Sequence, residues 1–307
     1  MNVSHTQYFP FWYIINDLFI VLFNLITFSI GTVFVLLVVR KKKLRTIMNI
    51  LSSNSCLCGS LLAFAILWDS FYMIKSDITG IARQDRNCVI RNICMLTTMI
   101  ALNYSLCLQT YHRFITIVYS QQTSLRSMNF YIKILIIQWF IYPFLLLPII
   151  LSNEIVYQPG SFVCQISFSN IPFFIYLFIL SYGIPLIFII ILHVCMIYYI
   201  QKHWKSHRQR RLTSIYVICP LQRIVLITLV LIISYLPCGI FFIYEHLYLT
   251  VIPYAQKIIL LFASLSFALT MILTFGFNRS VRRSSFSLFH RTNRQMIKHI
   301  VYRPSRK

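Results

Sequence analysis

Acidic residues are scarce in this chain, and their scarcity sets the first limits on its class. Six Asp and Glu residues stand against 28 Lys and Arg residues in 307, giving a formal net charge of +22 with only 11% charged residues. A basic soluble protein that binds nucleic acid needs a surface that is polar as well as positive. With 58% hydrophobic residues and a mean hydropathy of +0.74, the chain cannot cover such a surface. The composition therefore excludes a soluble globule and a nucleic-acid partner, and it favours an integral membrane protein.

Catalytic groups are also scarce. The chain has seven glycines and no glycine-rich loop of the kind that binds phosphate. An intramembrane hydrolase needs paired carboxylates, a serine with a base, or metal-binding His and Glu residues. Asp69 is the one acid that the sequence places deep enough to consider, and neither His112 nor His193 has a second ligand at helical spacing. We therefore expect no enzyme, no metal site and no cofactor.

Seven stretches lack Asp, Glu, Lys and Arg, and each is 19 to 31 residues long. A helix needs about 20 apolar residues to cross the hydrocarbon core, and no sustained alternation indicates a β-barrel. The pattern predicts an all-α integral membrane protein, a single seven-helix domain over residues 1–307 that ends in a short amphipathic eighth helix. The predicted spans are approximately 11–39, 47–73, 88–118, 131–153, 171–200, 222–246 and 254–277, with the eighth helix at approximately 279–290.

Basic residues are divided unequally between the two sides of this bundle. The segments after the odd-numbered spans hold 23 of them and no acid, whereas the other side holds five and all six acids. Cytoplasmic loops carry an excess of Lys and Arg, so we expect a plasma-membrane protein with its N-terminus outside and its C-terminus in the cytoplasm. The basic loops also attract anionic lipids, at about 1 kcal/mol per residue near the surface. Asn2, in Asn2-Val3-Ser4, is a glycosylation sequon on the outer side.

Two of the nine cysteines differ from the others in position. Seven lie in helices or at their inner ends, where they pack as small apolar side chains. Cys88 and Cys164 fall on the outer side, where an oxidising environment allows a disulfide. Such a bridge would hold the long loop 154–170 over the mouth of the bundle.

Arg113 closes the third span, 25 residues after Cys88, and at about 1.5 Å per residue this length carries a helix across the membrane. By itself, an arginine at a helix end is usually a cation that reaches the lipid head groups. Further segments of the chain bear on the interpretation of Arg113. They are Leu44-Arg45-Thr46 with Asn49 and Leu51-Ser52-Ser53-Asn54, then Trp139, Pro185, Ser234-Tyr235-Leu236-Pro237 and Phe277-Asn278-Arg279-Ser280-Val281-Arg282. In their order and spacing, these features resemble the class A, or rhodopsin-like, family of G-protein-coupled receptors.

The resemblance implies a cell-surface receptor that binds an extracellular ligand in the outer half of the bundle and activates a heterotrimeric G protein at the cytoplasmic face. The residues that it assigns to G-protein coupling are His112, Arg113 and Phe114, and those that it assigns to an activation hinge are Pro185, Tyr235 and Pro237. The ligand-pocket residues expected from register are Trp68, Asp69, Met95, Met99, Phe241 and Glu245.

The ligand class stays open between a peptide, a lipid and an odorant. Asp69 and Glu245 could form a salt bridge with an Arg or Lys side chain of a peptide. The alternative is that both are solvated carboxylates at helix ends. Met95 stands where amine-binding members of the family have an Asp, which argues against a biogenic amine.

Several positions depart from the family pattern. Gly59 replaces the acid of the second helix, so a buried sodium site is not expected. The Asn-Pro-x-x-Tyr motif of the seventh helix reads Thr270-Met271-Ile272-Leu273-Thr274, and His112 replaces the acid that normally restrains the arginine. The resemblance therefore implies the family's fold more strongly than its activation switches.

A multi-span transporter or channel subunit without G-protein coupling is the alternative. Transporters usually show inverted repeats, helices broken by Gly or Pro, and charges near the membrane midplane. None of these features is clear in this sequence. A channel with its N-terminus inside would contradict the charge asymmetry between the loops.

Overall fold

The computed structural model describes residues 11–79, 87–119, 121, 124–158, 163–166, 170–203, 210–248 and 255–285. Structural statements below concern these residues. The predicted glycosylation site, Asn2, lies outside them, as do residues 286–290 of the predicted eighth helix.

The fold is a bundle of seven transmembrane helical spans. The first three spans are single helices, α1 (Phe11–Arg40), α2 (Ile47–Thr79) and α3 (Cys88–Val118). The fourth span comprises α4 (Met128–Leu145) and α5 (Leu147–Leu151), and the fifth comprises α6 (Ile171–Phe178) and α7 (Ile184–His203). The sixth and seventh are α8 (Arg210–Tyr248) and α9 (Ala255–Phe277). By length and composition, the helices of all spans but the sixth can cross a membrane, and the described part of α8 includes the apolar segment Leu236–Glu245.

The helices extend beyond several of the predicted boundaries. α2 continues to Thr79 and α8 begins at Arg210, because a helix continues past its apolar run until a turn or a breaker ends it. The fourth span divides where Pro148 stands in the first turn of α5, since proline has no N–H to extend the ladder of α4. A last helix, α10, covers residues 279–285.

A β-hairpin lies between the fourth and fifth spans, and the sequence pattern did not predict it. β1 (Ile155–Gln158) pairs antiparallel with β2 (Val163–Ile166), in a register that places Tyr157 opposite Cys164. Asn153, at φ 56°, turns the chain into the hairpin in the left-handed conformation that Asn tolerates. Burial raises the pKa of the Tyr157 phenol above its ordinary value.

The two ends of the bundle are chemically distinct. α1, α3, α6 and α9 begin, and α2, α5 and α8 end, at the end that carries the hairpin and Cys88, which we call the disulfide end. The other end holds the last turns of α3, and we call it the Arg113 end. All five described acidic residues belong to the disulfide-end halves of their helices or to the hairpin loop, so the Arg113 end has no described acid.

Helix packing in the bundle separates a polar interior from an apolar exterior. Ser, Thr and Asn side chains are buried between α1, α2, α3 and α9, and Asn24 donates to Ser264 Oγ over 2.8 Å between α1 and α9. Large apolar side chains of α4 and α7, such as Phe140 and Val194, face outward. This distribution suits a surface surrounded by hydrocarbon, where polar groups must find partners inside the protein.

Candidate functional site

The disulfide predicted between Cys88 and Cys164 is present. It joins the start of α3 to β2 across 76 residues, with the two Cα atoms 5.6 Å apart. Asn92, one turn further along α3, donates from Nδ2 to the Cys164 carbonyl over 2.6 Å. The hairpin is therefore held on α3 by one covalent bond and one buried hydrogen bond.

A cavity of about 140 Å³ lies beneath this hairpin. Side chains of α2, α3, β2, α6, α8 and α9 line it, and none of the described lining residues is charged. Met95 and Met99 are among them, on the face of α3 that their register predicts. Polar groups reach the cavity mainly from Asn92, Gln165 and Gln256. The space suits an apolar group that makes a few neutral hydrogen bonds.

Asp69 and Trp68 are placed differently from the two methionines. Asp69 Oδ1 accepts a hydrogen bond from Arg91 Nε over 2.5 Å, and both side chains are at most 5% exposed. The Arg91 guanidinium also lies 4.1 Å from the Tyr72 ring centroid and 5.7 Å from that of Trp68. The Asp69 carboxylate is thus engaged within the protein, and neither it nor Trp68 lines the cavity.

The α8 contribution to the cavity differs from the predicted one. Cys238 lines it, and Phe242, one turn later, stacks on Phe174 of α6 with ring centroids 4.3 Å apart. Phe241 and Glu245 are half-buried but are not lining residues. Phe241 precedes Phe242 by one residue, which is about 100° around a helix, and Glu245 lies seven residues beyond Cys238, about two turns nearer the end of α8.

Pro185 is the second residue of α7 and follows a π-helical turn, Ile179–Gly183, that joins α6 to α7. Proline has no N–H, so the Ser181 carbonyl four residues earlier lacks its helical donor. Asn103 of α3 replaces that donor from its Nδ2 atom over 2.8 Å. A second space, of about 350 Å³, opens between this segment and α8, beside Gly239 and Ile240.

Pro237 and Tyr235, the other predicted hinge residues, both belong to α8. The missing N–H of Pro237 leaves the Ile233 carbonyl without its usual donor inside the long helix. The side chain of Tyr235 is not among those that the structure describes. The geometry places a weakened helical turn in α8 beside the second space.

The residues assigned to coupling form the penultimate turn of α3. The His112 ring meets Tyr131 of α4 edge to face, with centroids 4.9 Å apart, and Thr116 Oγ1 donates to the His112 carbonyl. Phe114 packs edge to face on Tyr119 at 5.9 Å. Arg113 is half-buried beside them. Aromatic packing therefore occupies the place where an acid would restrain the arginine.

Comparison with known families decides the class. Residues 31–275 match the family model described as the 7 transmembrane receptor (rhodopsin family). The chain belongs to this family. A comparison with curated proteins finds no match. The protein is a multi-pass receptor of the plasma membrane that signals through heterotrimeric G proteins, and members of this family are receptors rather than enzymes.

In this receptor, Met271 occupies the space beside Gly59, which stands at the position of the family's second-helix acid. A Cβ atom built on Gly59 would overlap the terminal methyl group of Met271, which stands where the family has the proline of its seventh-helix motif. The two departures are therefore spatially complementary, since the long methionine occupies the space that the glycine leaves.

A neutral network lies one turn further toward the Arg113 end of α2. Gln109 Nε2 donates to Ser55 Oγ over 2.5 Å, and Ser55 Oγ lies 2.7 Å from Ser105 Oγ. Asn54 Nδ2 donates to Ser105 Oγ and its Oδ1 accepts from Trp139 Nε1. Hydrogen bonds between α2, α3 and α4 thus cross-link the receptor without charges.

α10 is tied to the loop that follows α1 and to the first turn of α2. Asn278 donates from Nδ2 to Asn49 Oδ1 over 2.7 Å, and its own Oδ1 accepts from Val281 N at the start of α10. Lys41 Nζ donates to Ser284 Oγ over 2.5 Å. These contacts fix the direction of α10 at the Arg113 end of the receptor.

Sequence reasoning missed one group of charges. In the sequence analysis, Asp17, Asp77 and Lys257 were treated only as charges on the outer side of the membrane. In the structure they are buried together, with Lys257 Nζ 2.5 Å from Asp77 Oδ2 and 3.2 Å from Asp17 Oδ2. The available signal was their equal depth, because each lies within about two turns of the same end of a neighbouring helix. A count of charges on each side of the membrane does not record how deep each charge lies in its helix.

Proposed function

We propose that the receptor responds to an uncharged, mostly apolar ligand that binds between α3, α6, α8 and α9 beneath the hairpin. The observation that carries this proposal is the lining of the cavity, in which no described residue is charged. A charged ligand would lose its hydration there without gaining an ionic partner. Of the acids nearby, Asp69 is already paired with Arg91.

The buried side-chain oxygen of Asn92 limits the class of ligand further. Asn92 uses its Nδ2 atom on Cys164, while its buried Oδ1 atom accepts no hydrogen bond within the described residues. Buried acceptors in proteins normally have a donor. A hydroxyl or N–H on the ligand supplies it, which favours a small lipid-like or odorant-like molecule. A peptide fits this proposal through an uncharged side chain, and a biogenic amine does not fit because Met95 offers no carboxylate.

The proposed direction of signalling follows from charge. The disulfide end faces the outside and the Arg113 end faces the cytoplasm, because cytoplasmic loops are rich in Lys and Arg. His112, Arg113 and Phe114 contact the G protein, and the basic loops attract anionic lipids. Ligand binding biases α8 between two positions, hinged at Pro237 and accommodated by the space beside Pro185, in proportion to its differential affinity for them.

The test is a screen for ligand-driven nucleotide exchange on each G-protein class, with a panel of neutral lipids, odorants and peptides. For an agonist found in this way, Met99→Trp fills the cavity and is expected to weaken potency at least tenfold. Ile136→Trp is the matched control, because Ile136 is 53% exposed on α4 and the same bulk there meets no ligand. Equal potency of both variants would refute the cavity, and substrate-dependent flux with no exchange would favour a transporter instead.

A further inference from the structure

A cluster of three charges joins three spans at the disulfide end. Lys257, near the start of α9, lies between Asp17 of α1 and Asp77 of α2, at 3.2 Å and 2.5 Å from their Oδ2 atoms. Asn16 Nδ2 donates to the Lys257 backbone carbonyl over 3.3 Å. The cluster is separate from the cavity, whose lining includes none of its three members.

The charges of this cluster do not balance. Asp17 and Asp77 side chains are 0% exposed and Lys257 is 2% exposed, so water does not screen them. One ammonium neutralises one carboxylate, and a second ionised carboxylate would leave a net charge of −1 in the protein interior. An uncompensated buried charge is strongly unfavourable, and the group neutralises instead.

Among the described residues, the groups that neighbour the cluster supply no second cation. Tyr13 of α1 presents its ring to Lys257 Nζ at 5.2 Å. On α2, Lys75 is exposed, and Asp69 lies eight residues from Asp77, about 12 Å along the helix. Asp69 and Arg91 of α3 already balance each other. Within the described residues, the imbalance therefore belongs to Asp17 and Asp77 alone.

The two carboxyl groups also approach each other. Their Oδ2 atoms contact the same ammonium nitrogen of Lys257, and neither Oδ1 atom accepts a hydrogen bond from a described donor. Two ionised carboxylates only accept hydrogen bonds, so a bond between them needs a proton. Paired carboxyls in proteins share one proton for this reason.

We propose that Asp17, Asp77 and Lys257 form a binding site for one exchangeable proton, through which pH at the disulfide end controls the packing of α1, α2 and α9. Binding transfers a proton from water to a carboxylate oxygen, where it bridges the two aspartates, and takes the cluster from −1 to neutral. Release of the proton restores a buried negative charge and loosens the contact of α9 with its two neighbours.

This site gives stability a definite dependence on pH. An ordinary Asp in an unfolded chain has released its proton above about pH 4. The folded receptor retains one more proton than the unfolded chain above that pH, so its stability falls as pH rises until the site has emptied. While that one-proton difference holds, the unfolding equilibrium shifts about tenfold toward the unfolded state per pH unit.

Two measurements on purified receptor in lipid nanodiscs test the site without a G protein, so they do not depend on the proposed ligand. Infrared spectra between about pH 5 and pH 9 should show a protonated-carboxyl band that disappears with rising pH. The thermal midpoint should fall over the same range. Asp77→Asn and Asp17→Asn, which mimic the protonated group, should each lose the titrating band and the pH dependence of the midpoint.

Glu154→Gln is the control, because it exchanges a carboxylate for an amide outside the cluster and should leave both pH profiles intact. The proposal is overturned if the parent shows no titrating carboxyl band, or if that band and the midpoint profile survive in both aspartate variants. It is also overturned if added sodium at fixed pH stabilises the parent through the same two aspartates, since the ligand would then be a metal cation. If one variant fails to fold, the other variant and the parent spectrum still decide.

Discussion

At the scale of single residues, the receptor solves the problem of buried charge by pairing. Asp69 and Arg91 bridge α2 and α3 over 2.5 Å, both nearly inaccessible to water. Removing one member of such a pair leaves the other charge buried, whereas replacing both with apolar side chains is often tolerated. The pair therefore matters more through the penalty for breaking it than through the attraction itself.

We predict that Asp69→Ala destabilises the receptor by about 3–5 kcal/mol, seen as a lower thermal midpoint and a lower surface level. The double substitution Asp69→Leu with Arg91→Leu should recover most of the loss, because no unpaired charge remains. A double variant that is less stable than Asp69→Ala would contradict this account and show that the ionic contact itself holds the two helices.

At the scale of helices, α1 and α2 pack closely at Gly31. Among the described glycines, Gly31 comes nearest to the backbone of another helix. A Cβ atom on Gly31 would come within 2.8 Å of the Cys56 carbonyl oxygen and would overlap the Ser60 hydroxyl. A backbone carbonyl cannot rotate away, so any side chain at this position must push the helices apart. Small residues at such crossings allow transmembrane helices to pack closely.

Gly31→Ala is accordingly expected to cost about 1–3 kcal/mol. Gly276→Ala is the matched control, because an added Cβ there meets nothing within 4 Å and alanine favours the helix by about 0.5–1 kcal/mol. Thermal midpoints of the two purified variants should move in opposite directions or differ clearly. Equal midpoints would mean that α1 and α2 are not in the contact described.

The disulfide between α3 and the hairpin gives a second prediction at this scale. Cys88→Ala and Cys164→Ala should lower stability by about 2–5 kcal/mol, and surface expression should fall equally in both. The double variant should be no worse than either single one, because one bond is lost in all three. Additive losses measured by surface labelling would indicate that the two cysteines act separately.

The elements that sequence reasoning could predict are those set by long periodic or compositional signals. Seven apolar runs predicted seven spans, and two cysteines on one side predicted the disulfide. The hairpin was missed because each strand has only four residues, too few to show a period. The break at Pro148 depends on local backbone geometry, which composition does not record.

For the site, the spacing of residues along α3 predicted which of them face the cavity. The sequence did not predict how the other helices are rotated relative to α3. Met95 and Met99 were predicted on α3 and line the cavity, whereas Phe241 and Glu245 of α8 do not. Phe241 is one residue from Phe242, and Glu245 lies about two turns beyond Cys238. The contact of Gly59 with Met271 and the burial of Asp17 with Lys257 join residues more than 200 positions apart. Such pairings depend on how the helices are rotated in the bundle, and a single sequence does not contain that information.

At the scale of the whole molecule, an asymmetric bundle connects two chemically different ends. The described acids gather at the disulfide end, near an uncharged cavity, and the charged side chains described at the Arg113 end are all cations. The family match over residues 31–275 makes the chain a G-protein-coupled receptor. The altered restraint on Arg113, with His112 packed on Tyr131 in place of an acid, predicts appreciable signalling without ligand, since the residue before the arginine is not the carboxylate that restrains it in the family.

The measurement that tests this account most directly is nucleotide exchange on a panel of G proteins, compared between the parent receptor and Arg113→Ala at equal surface level. The parent should drive exchange on at least one class, and Arg113→Ala should reduce that exchange at least tenfold. Lys133→Ala, which removes an exposed cation from α4 at the same end, should leave it unchanged. Exchange that survives Arg113→Ala at the parental rate would contradict the assignment of this end of α3 as the coupling face.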